Sequence, residues 1–498
     1  MPGNSWFQGA HKFTINDPIM VSSDVGSETE RKSKYYLLNW WIVDWLDLNT
    51  LVMKRLEKKA LVDATYNSAA RHYTAPECHP CTRVPLRKKI VAWLLNIDRE
   101  QRLLWLYGPA GVGKSAIAQS LIEYCAKHGI LSVGIFLSRV NKRDDPNRII
   151  PSFTHQLATA HPVYRRAITN VLSNDPTILE KRMADQFEQL IDKPANVLVD
   201  DGPNMRPRPI LFLIDGLDEC NTESAQREFI SLVTSFTLKC KLRCLPFACV
   251  ITSRPEWQIV STFNQLDPSV KVLREELRTN TLGAIRDVER VLRTNFEEIR
   301  KKAFPPDTEW PSKQKFDKIK KAASGNMLFA SVVTKFMDDD DPDGQLDLCL
   351  KSVQGKLMSD EQNPLDPLAA LYEGMLHSIP PRLLETTLRI LYLEIIVQDS
   401  YRSFRITLTG DVSADFFNID DRTYHTCLKR LCSVLYVPSG TGRRLEFSHA
   451  TFADHVKVAI RMGTFGLREP EVLEDIRRRC ISWIKELKST NKKASEFF

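Results

Sequence analysis

The chain has 498 residues, a length that suggests about three domains. Hydrophobic residues make up 43% of it and charged residues 26%, as in ordinary globular proteins, so a core of normal size is available. The net charge of +7 is small for this length and does not by itself indicate binding to nucleic acid. No uncharged run reaches the roughly 20 residues of a membrane span. The nearest candidate, residues 37–53, contains Asp44 and Asp47.

The cysteines and the N-terminus favour a cytoplasmic location. Eleven cysteines, an odd number, are scattered without the spacing of a disulfide framework, which is typical of a reduced compartment. No apolar stretch follows a basic start at the N-terminus, so no secretory signal is predicted.

Residues 1–64 are predicted to form a separate N-terminal segment. Residues 1–33 are polar and aperiodic, which predicts a mobile stretch. Residues 34–62 are aromatic and partly amphipathic, and they include Trp40, Trp41 and Trp45. We interpret them as a helix packed on the main domain, with a docking helix for another protein as the alternative.

Residues 65–273 are predicted to form an α/β domain, because apolar runs alternate there with helical stretches, as in a parallel sheet. The expected strands are 103–107, 131–137, 210–214, 247–252 and 270–273, and the expected helices are 116–128, 150–160 and 225–237.

The first of these strands leads into G-P-A-G-V-G-K-S, the phosphate-binding pattern G-x-x-x-x-G-K-[ST]. Its glycines let main-chain N–H groups turn towards phosphate oxygens, an approach that a Cβ would block. Lys114 can reach the β- and γ-phosphates, and the Ser115 hydroxyl can ligate Mg²⁺. The helix that follows adds the positive end of its dipole. The candidate nucleotide-binding residues are Gly108, Pro109, Ala110, Gly111, Val112, Gly113, Lys114, Ser115 and Ala116.

A second motif, D-G-L-D-E-C, follows the strand predicted at 210–214. A P-loop enzyme holds its metal ion with an acidic residue at the end of a buried strand, so Asp215 is predicted to orient Mg²⁺. Glu219 is placed to polarise an attacking water as a general base, and Asp218 is a candidate second acid. Asp218 and Glu219 also suit a helix N-terminus, a role that does not exclude catalysis.

The strand predicted at 247–252 ends in S-R-P-E. In ATPases with an additional strand, this strand lies beside the P-loop strand, so its end faces the γ-phosphate. Arg254 is therefore predicted to sense or stabilise that group, with a surface arginine as the alternative. Residues 141–144 spell N-K-R-D, a guanine-reading pattern, but they precede Asp215 instead of following it. We interpret them as a polar loop and prefer ATP to GTP.

The rest of the chain is predicted to be mainly helical. Residues 274–355 form a helical domain, in which 282–299 has apolar residues at helical spacing. Residues 356–465 combine expected helices with a short hairpin that bears Arg443 and Arg444, which predicts a winged helix. Winged helices often bind DNA, but we favour a regulatory role. Residues 466–498 are predicted to be a basic helical tail. Within 356–465 the expected helices are 368–379, 383–396 and 423–434, and the expected hairpin strands are 435–437 and 444–447.

These motifs together resemble the NACHT NTPases of the STAND class, and above all the nephrocystin-type NACHT proteins abundant in fungi. The resemblance covers roughly residues 65–465. The family typically has Gly where this chain has Cys81, and often Phe where it has Met327; both positions lie outside the phosphate site. Besides the three motifs above, the matching segments are P-E-C-H-P-C-T-R, I-F-L-S-R, A-S-G-N-M-L-F-A and F-S-H-A-T-F-A-D-H.

The resemblance implies an α/β P-loop NTPase of the additional-strand type, followed by a helical domain and a winged-helix domain. It also implies a switch that holds ADP when closed and ATP when open, hydrolyses slowly, and self-associates once ATP has opened it. Fungal non-self recognition and programmed cell death are the settings that it suggests. An effector or sensor partner is implied but not identified.

Site residues carry over from the family one at a time. Lys114 matches the phosphate lysine, Ser115 the magnesium hydroxyl, Asp215 the metal-orienting acid and Glu219 the hydrolytic acid. Arg254 matches the sensor position by motif alone. In related switch proteins a winged-helix histidine touches the ADP β-phosphate, and His449 is the candidate here; a histidine that caps the next helix is the alternative.

Two other functional classes stay open. One is a conventional ATPase acting on nucleic acid, and the other is a nucleotide-binding scaffold without hydrolysis, against which the intact Glu219 argues. No period of 33 to 45 residues occurs in the sequence, so no tetratricopeptide, ankyrin or WD array is predicted.

Overall fold

The computed structural model of the protein describes residues 48–71, 78–199, 208–338, 340–354, 366–400, 409–437 and 444–489. It divides the chain into two compact units, Met1–Val52 and Met53–Phe498. The predicted mobile stretch 1–33 and the tryptophans of segment 34–62 lie outside the described residues, as does Arg443. The sheet, the motifs and the helices described below belong to the second unit, except that the first helix, 48–59, begins in the first unit.

A five-stranded parallel sheet forms the nucleotide-binding region, and all five predicted strands are confirmed to within a few residues at their ends. The strand order across the sheet is β2-β3-β4-β1-β5, so β4 lies between the P-loop strand β1 and the acidic strand β3, as expected for the additional-strand type. The strands are β1 (Leu103–Tyr107), β2 (Ser132–Phe136), β3 (Ile210–Asp215), β4 (Phe247–Ser253) and β5 (Val272–Glu276).

Parallel pairing brings the carboxyl ends of the strands to one edge. Tyr107 at the end of β1 lies opposite Ser253 of β4, and Ile214 near the end of β3 lies opposite Ile251. The P-loop, the D-G-L-D-E turn and Arg254 therefore leave the sheet side by side, which is the arrangement the motifs predict.

Both faces of the sheet are covered, because alternate residues of each strand point to opposite sides. Leu211 and Leu213 of β3 pack with the helices that precede and follow the P-loop. On the other face, Phe212 stacks on Phe153 with ring centroids 5.4 Å apart and meets Phe247 edge-on at 5.3 Å. This two-sided burial explains why β3 is apolar at every position up to Asp215.

The helices around the sheet include the three that the sequence predicts, and α7 extends beyond its predicted end to Leu242. The Thr222 side chain caps α7 by accepting a hydrogen bond from the Ala225 amide. The helices are α1 (48–59), α2 (Val84–Leu95), α3 (Lys114–Lys127), α4 (Ile149–Ala160), α5 (Pro162–Asn174), α6 (Met183–Phe187), α7 (Glu223–Leu242) and α8 (Trp257–Asn264).

The described residues after β5 form helices and one short hairpin, in which Leu435 pairs with Phe447 in antiparallel fashion. This confirms the predicted hairpin, whereas the winged helix stays a prediction. The elements are α9 (Leu282–Ala303), α10 (Lys313–Ala323), α11 (Met327–Met337), α12 (Pro342–Gln354), α13 (Asp366–His377), α14 (Pro381–Ser400), α15 (Gly410–Phe417), α16 (Asp421–Leu428), β6 (Leu435–Tyr436), β7 (Glu446–Phe447), α17 (Ala450–Met462) and α18 (Glu469–Ser489).

These helices share one hydrophobic core, which runs from Val288 in α9 to Ile476 in α18. Val140, from the loop after β2, is buried in the same core. The C-terminal helices are therefore packed directly against the nucleotide-binding region. No helix within the described ranges is both long and apolar enough to cross a membrane.

One predicted boundary is wrong. The helix expected at 423–434 ends at Leu428 as an α-helix and continues as a 3₁₀ turn, Lys429–Leu431. Leu431 and Val434 are buried nonetheless, so apolar spacing alone did not distinguish a buried turn from a helix. The C-terminal helix α18 begins at Glu469, within the predicted helical tail 466–498, and its acidic first turn suits the helix dipole.

Candidate nucleotide-binding site

The P-loop connects β1 to α3 through backbone geometry that only glycine adopts easily. Gly111 has φ +77° and Gly113, the residue before α3, has φ +95°. The Lys114 ammonium returns over the loop and donates to the carbonyls of Gly108 at 2.8 Å and Pro109 at 2.9 Å. The amino end of α3 and the ammonium thus lie at the same turn, as the motif predicts.

The start of α11 holds the P-loop from the other side. The Leu328 amide donates to the Gly111 carbonyl at 3.1 Å, and a Cβ added at Gly111 would lie 2.4 Å from Oδ1 of Asn326. That Oδ1 caps α11 by accepting from the Leu328 and Phe329 amides, while Nδ2 of Asn326 is buried without a partner. The motif A-S-G-N-M-L-F-A marked this segment as family-like, but its contact with the P-loop was not predicted.

Asp215 and Ser115 meet at the carboxyl edge of β3. The Asp215 carboxylate accepts hydrogen bonds from the Ser115 and Thr252 hydroxyls. Asp215 is buried, and burial raises the pKa of its carboxyl, although the two hydroxyls and the charges of Arg71 and Lys114 oppose that rise. The two predicted metal ligands are therefore in contact.

Arg71 is a buried cation that sequence analysis missed. Its guanidinium lies 3.7 Å from the centroid of the Phe136 ring and donates to Oε1 of Gln119 at 3.2 Å. Burial lowers the pKa of Arg71 to about 10, while the charge of Asp215 acts in the opposite direction. No motif surrounds Arg71, and only the fold brings it towards Asp215.

Asp218, Glu219 and Arg254 lie near the P-loop, where their charges act on Lys114. Asp218 binds Arg254 twice: Oδ1 accepts from the Arg254 amide at 2.9 Å, and Oδ2 pairs with Nε at 3.2 Å. Glu219 accepts at Oε2 from the Arg139 amide at 3.0 Å. Withdrawal from water, with Asp218 as the next cause, raises the pKa of Glu219 to about 7.

His449 lies near the same group. His449 caps α17, because its Nδ1 accepts a hydrogen bond from the Thr451 amide at 3.3 Å, as the alternative prediction of a helix-capping histidine states. Withdrawal from water and then the positive charges of Arg254 and Lys114 lower the pKa of His449 to about 3, while its contact with a phosphate stays a prediction. The imidazole is thus neutral at physiological pH and sits close to both cations.

A parallel sheet in this strand order, with the P-loop sequence pattern after β1 and an acid at the end of β3, matches a P-loop NTPase of the additional-strand type, which confirms the α/β part of the predicted fold class. Residues 81–254 match the family model for the N-terminal region of nephrocystin 3. This match confirms the resemblance to nephrocystin-type proteins that the motifs indicate.

The structure is also similar to several solved proteins at low identity. Cdc6p from Pyrobaculum aerophilum is 13% identical, with 81% of this chain and 96% of that chain covered and a TM-score of 0.35. Orc1 from Aeropyrum pernix, solved in complex with DNA, is 15% identical, with 78% and 94% covered and a TM-score of 0.32.

A Signal Transduction ATPase with Numerous Domains (STAND) protein from Pyrococcus horikoshii, which has a tetratricopeptide repeat sensor, is 12% identical. The similarity covers 81% of this chain and 46% of that chain at a TM-score of 0.37. At such scores none of these similarities carries a functional argument. No curated protein matches the chain.

Proposed function

We propose that the protein is an ATP- and ADP-binding switch that hydrolyses ATP slowly and opens on nucleotide exchange. The observation that carries this proposal is the convergence at one sheet edge of the P-loop lysine, Asp215 and Glu219 with residues from far along the chain, Asn326 and His449. A nucleotide bound there would touch parts of the chain that are far apart in sequence, so its phosphates can favour one arrangement of these parts over another.

The residues present suit a magnesium-bound nucleotide. Ser115 and Asp215 offer adjacent oxygen donors of the kind that Mg²⁺ prefers. Lys114 supplies a cation beside the turned main chain of the P-loop, and the unpartnered Nδ2 of Asn326 is a buried donor next to that loop. The metal ion, when bound with ATP, neutralises charge that develops between the β- and γ-phosphates.

Glu219 is the residue we assign to water activation. A carboxylate can take a proton from an attacking water as a general base. A pKa of about 7 leaves a sizeable fraction of Glu219 protonated at neutral pH. Its Oε2 is also held by the Arg139 amide, which favours the carboxylate but keeps that oxygen from an attacking water. Both features would slow hydrolysis, in keeping with a switch.

Self-association of the ATP-bound form and a cytoplasmic location are parts of the same proposal. Self-association and the settings of fungal non-self recognition and cell death rest on the family resemblance of the motifs. The eleven free cysteines support a reducing compartment.

The test is to identify the nucleotide that the purified protein retains. We expect ADP to be released on denaturation of the wild-type chain, and Lys114→Ala to remove this occupancy because the phosphates lose their ammonium. Lys127→Ala is the matched control, since Lys127 is exposed at the opposite end of α3. Undiminished ADP in Lys114→Ala would refute the site, and fast turnover stimulated by DNA or RNA would favour the nucleic-acid ATPase instead.

A further inference from the structure

The loop after β2, residues 138–143, contacts both Glu219 and the C-terminal hairpin. We propose that this β2 loop couples docking of the hairpin and α17 to the position of Glu219, with Asn141 as the positioning residue. In the docked arrangement the loop restrains Glu219, and release of the hairpin frees it for hydrolysis. This inference rests on the proposed function and adds the regulation of its catalytic acid.

The β2 loop is closed on itself and tied to the sheet. Ser138 and Arg143 exchange two main-chain hydrogen bonds, at 3.2 and 2.9 Å, and Lys142 between them has φ +58°. The Leu137 amide donates to the Asp215 carbonyl at 2.9 Å. Because these hydrogen bonds close the loop, we expect a displacement of the side that contacts the hairpin to displace the side that contacts Glu219 as well.

One side of the loop holds Glu219. The Arg139 main-chain amide donates to Oε2 of Glu219 at 3.0 Å. Because this contact uses the main chain, its geometry depends on where the whole loop lies and not on the Arg139 side chain.

The other side of the loop holds the hairpin. The Asn141 amide group donates from Nδ2 to the Phe447 carbonyl and accepts at Oδ1 from the Phe447 amide, both at 3.1 Å. The same side carries Arg143, whose side chain is only 4% exposed and pairs with Glu446 at 3.2 Å. Val140 inserts into the core of the C-terminal helices. Two hydrogen bonds and an ion pair thus join the loop to β7, and Val140 anchors it in the core of the C-terminal helices.

The hairpin in turn connects to the nucleotide site, because His449 follows Phe447 by two residues and starts α17. Arg139 adds an exposed ion pair to Asp454 of α17 at 3.3 Å, which contributes little by itself. Lifting β7 and α17 away would therefore remove His449 from the P-loop and release the β2 loop in one movement.

The experiment measures cleavage of bound ATP in a single turnover, which separates the chemical step from ADP release. We expect Asn141→Ala to speed cleavage five- to tenfold with unchanged ATP affinity, because both bonds to Phe447 are lost. The factor of ten corresponds to about 1.4 kcal/mol, within the range of two ordinary hydrogen bonds. Asn147→Ala is the matched control, since Asn147 is exposed and lies just beyond the loop.

Adding Glu219→Gln to Asn141→Ala should abolish the gain if the loop acts through Glu219. Should Asn141→Ala fail to fold, Asp454→Ala weakens the same docking from an accessible side chain and should give a smaller gain. An unchanged or slower cleavage rate in a folded variant that still binds ATP would overturn the coupling and leave the proposed switch standing. Loss of ATP binding in the wild type would instead refute the proposed function.

Discussion

Glu219 lies among charges of both signs, and these charges together with burial determine the pKa of its carboxyl. Asp218 raises the pKa of Glu219, whereas Arg254 and the Arg139 amide lower it, and withdrawal from water outweighs them all. A carboxyl with a pKa of about 7 changes its charge within the physiological range, which an ordinary glutamate does not.

We therefore expect ATP hydrolysis to rise with pH, to reach half its maximum at about pH 7 and to level off above that pH. Only the deprotonated carboxylate can accept the proton of water, so the rate should be low below this pH. His449 stays neutral throughout because its pKa is about 3, so it adds no second step. Rates measured from pH 5.5 to 8.5 at saturating ATP give the profile.

Glu219→Gln should remove the pH-dependent rate while ATP still binds. Glu223→Gln is its control, because Glu223 is exposed at the start of α7 and pairs only with a surface arginine among the contacts described. A profile that stays flat across this interval would mean that another group takes the proton.

The site residues that could be predicted are those that belong to short local sequence patterns. Lys114 and Ser115 follow fixed glycines, and Asp215 ends an unbroken apolar run, so local pattern was enough. Arg71 and Asn326 reach the site only through packing between elements distant in sequence, and no local pattern marks that.

The P-loop depends on α11 as well as on its own glycines. At Gly111 a side chain would meet both an unfavourable φ of +77° and the cap of α11, with Oδ1 of Asn326 at 2.4 Å. A glycine at position 111 is thus needed both for the conformation of the P-loop and for the packing of α11 against it.

Gly111→Ala should lower the thermal midpoint and weaken nucleotide binding. Strain at a left-handed residue costs about 1–3 kcal/mol, and the new Cβ also pushes on Asn326. Gly283→Ala provides the opposite control, because Gly283 lies in α9 with nothing within 4 Å of the added Cβ. Alanine is about 1 kcal/mol better than glycine inside a helix, so this variant should be at least as stable as wild type.

Thermal unfolding followed by circular dichroism, with and without ADP, makes the comparison. Equal midpoints for Gly111→Ala and wild type would show that the loop relaxes around the added methyl group.

Helices whose apolar residues recur at helical spacing could be predicted from the sequence, whereas the end of a helix that lies inside the core could not. The helix predicted at 282–299 from its apolar spacing is confirmed as α9, and the Thr281 side chain caps it. The end of α16 was misplaced because Leu431 and Val434 are buried within turns. Buried positions are apolar both in the helix and in the turn that follows it, so the apolar pattern of the sequence does not show where the helix ends.

The longest-range feature is the junction between the β2 loop and the C-terminal hairpin, whose members are about 300 residues apart in sequence. The sequence showed the N-K-R-D tetrapeptide there only as a polar loop with the wrong order for guanine recognition. Its partners come from β7 and α17, and no spacing within the chain points to that meeting. The strand order could be predicted because the motifs indicate a P-loop NTPase of the additional-strand type. The junction, in contrast, depends on how the whole unit packs.

The position of His449 gives the junction a consequence for nucleotide release. If its ring helps hold ADP in the closed arrangement, His449→Ala should speed ADP release roughly tenfold, as expected for the loss of one charge-assisted hydrogen bond of about 1.5 kcal/mol. It should also increase self-association without added ATP. Fluorescent-ADP displacement measures the first effect and light scattering after size exclusion the second.

The difficulty is that His449 also caps α17, so alanine alone confounds two roles. His449→Asn keeps a good capping residue but removes the imidazole, and it should retain most of the increase in ADP release. His161 is the matched capping control, because it caps α5 through an equivalent contact to the Tyr164 amide. If His161→Ala matched the effect, or if His449→Asn behaved as wild type, the cap and not a phosphate contact would explain His449, and closure would depend on the β2 loop alone.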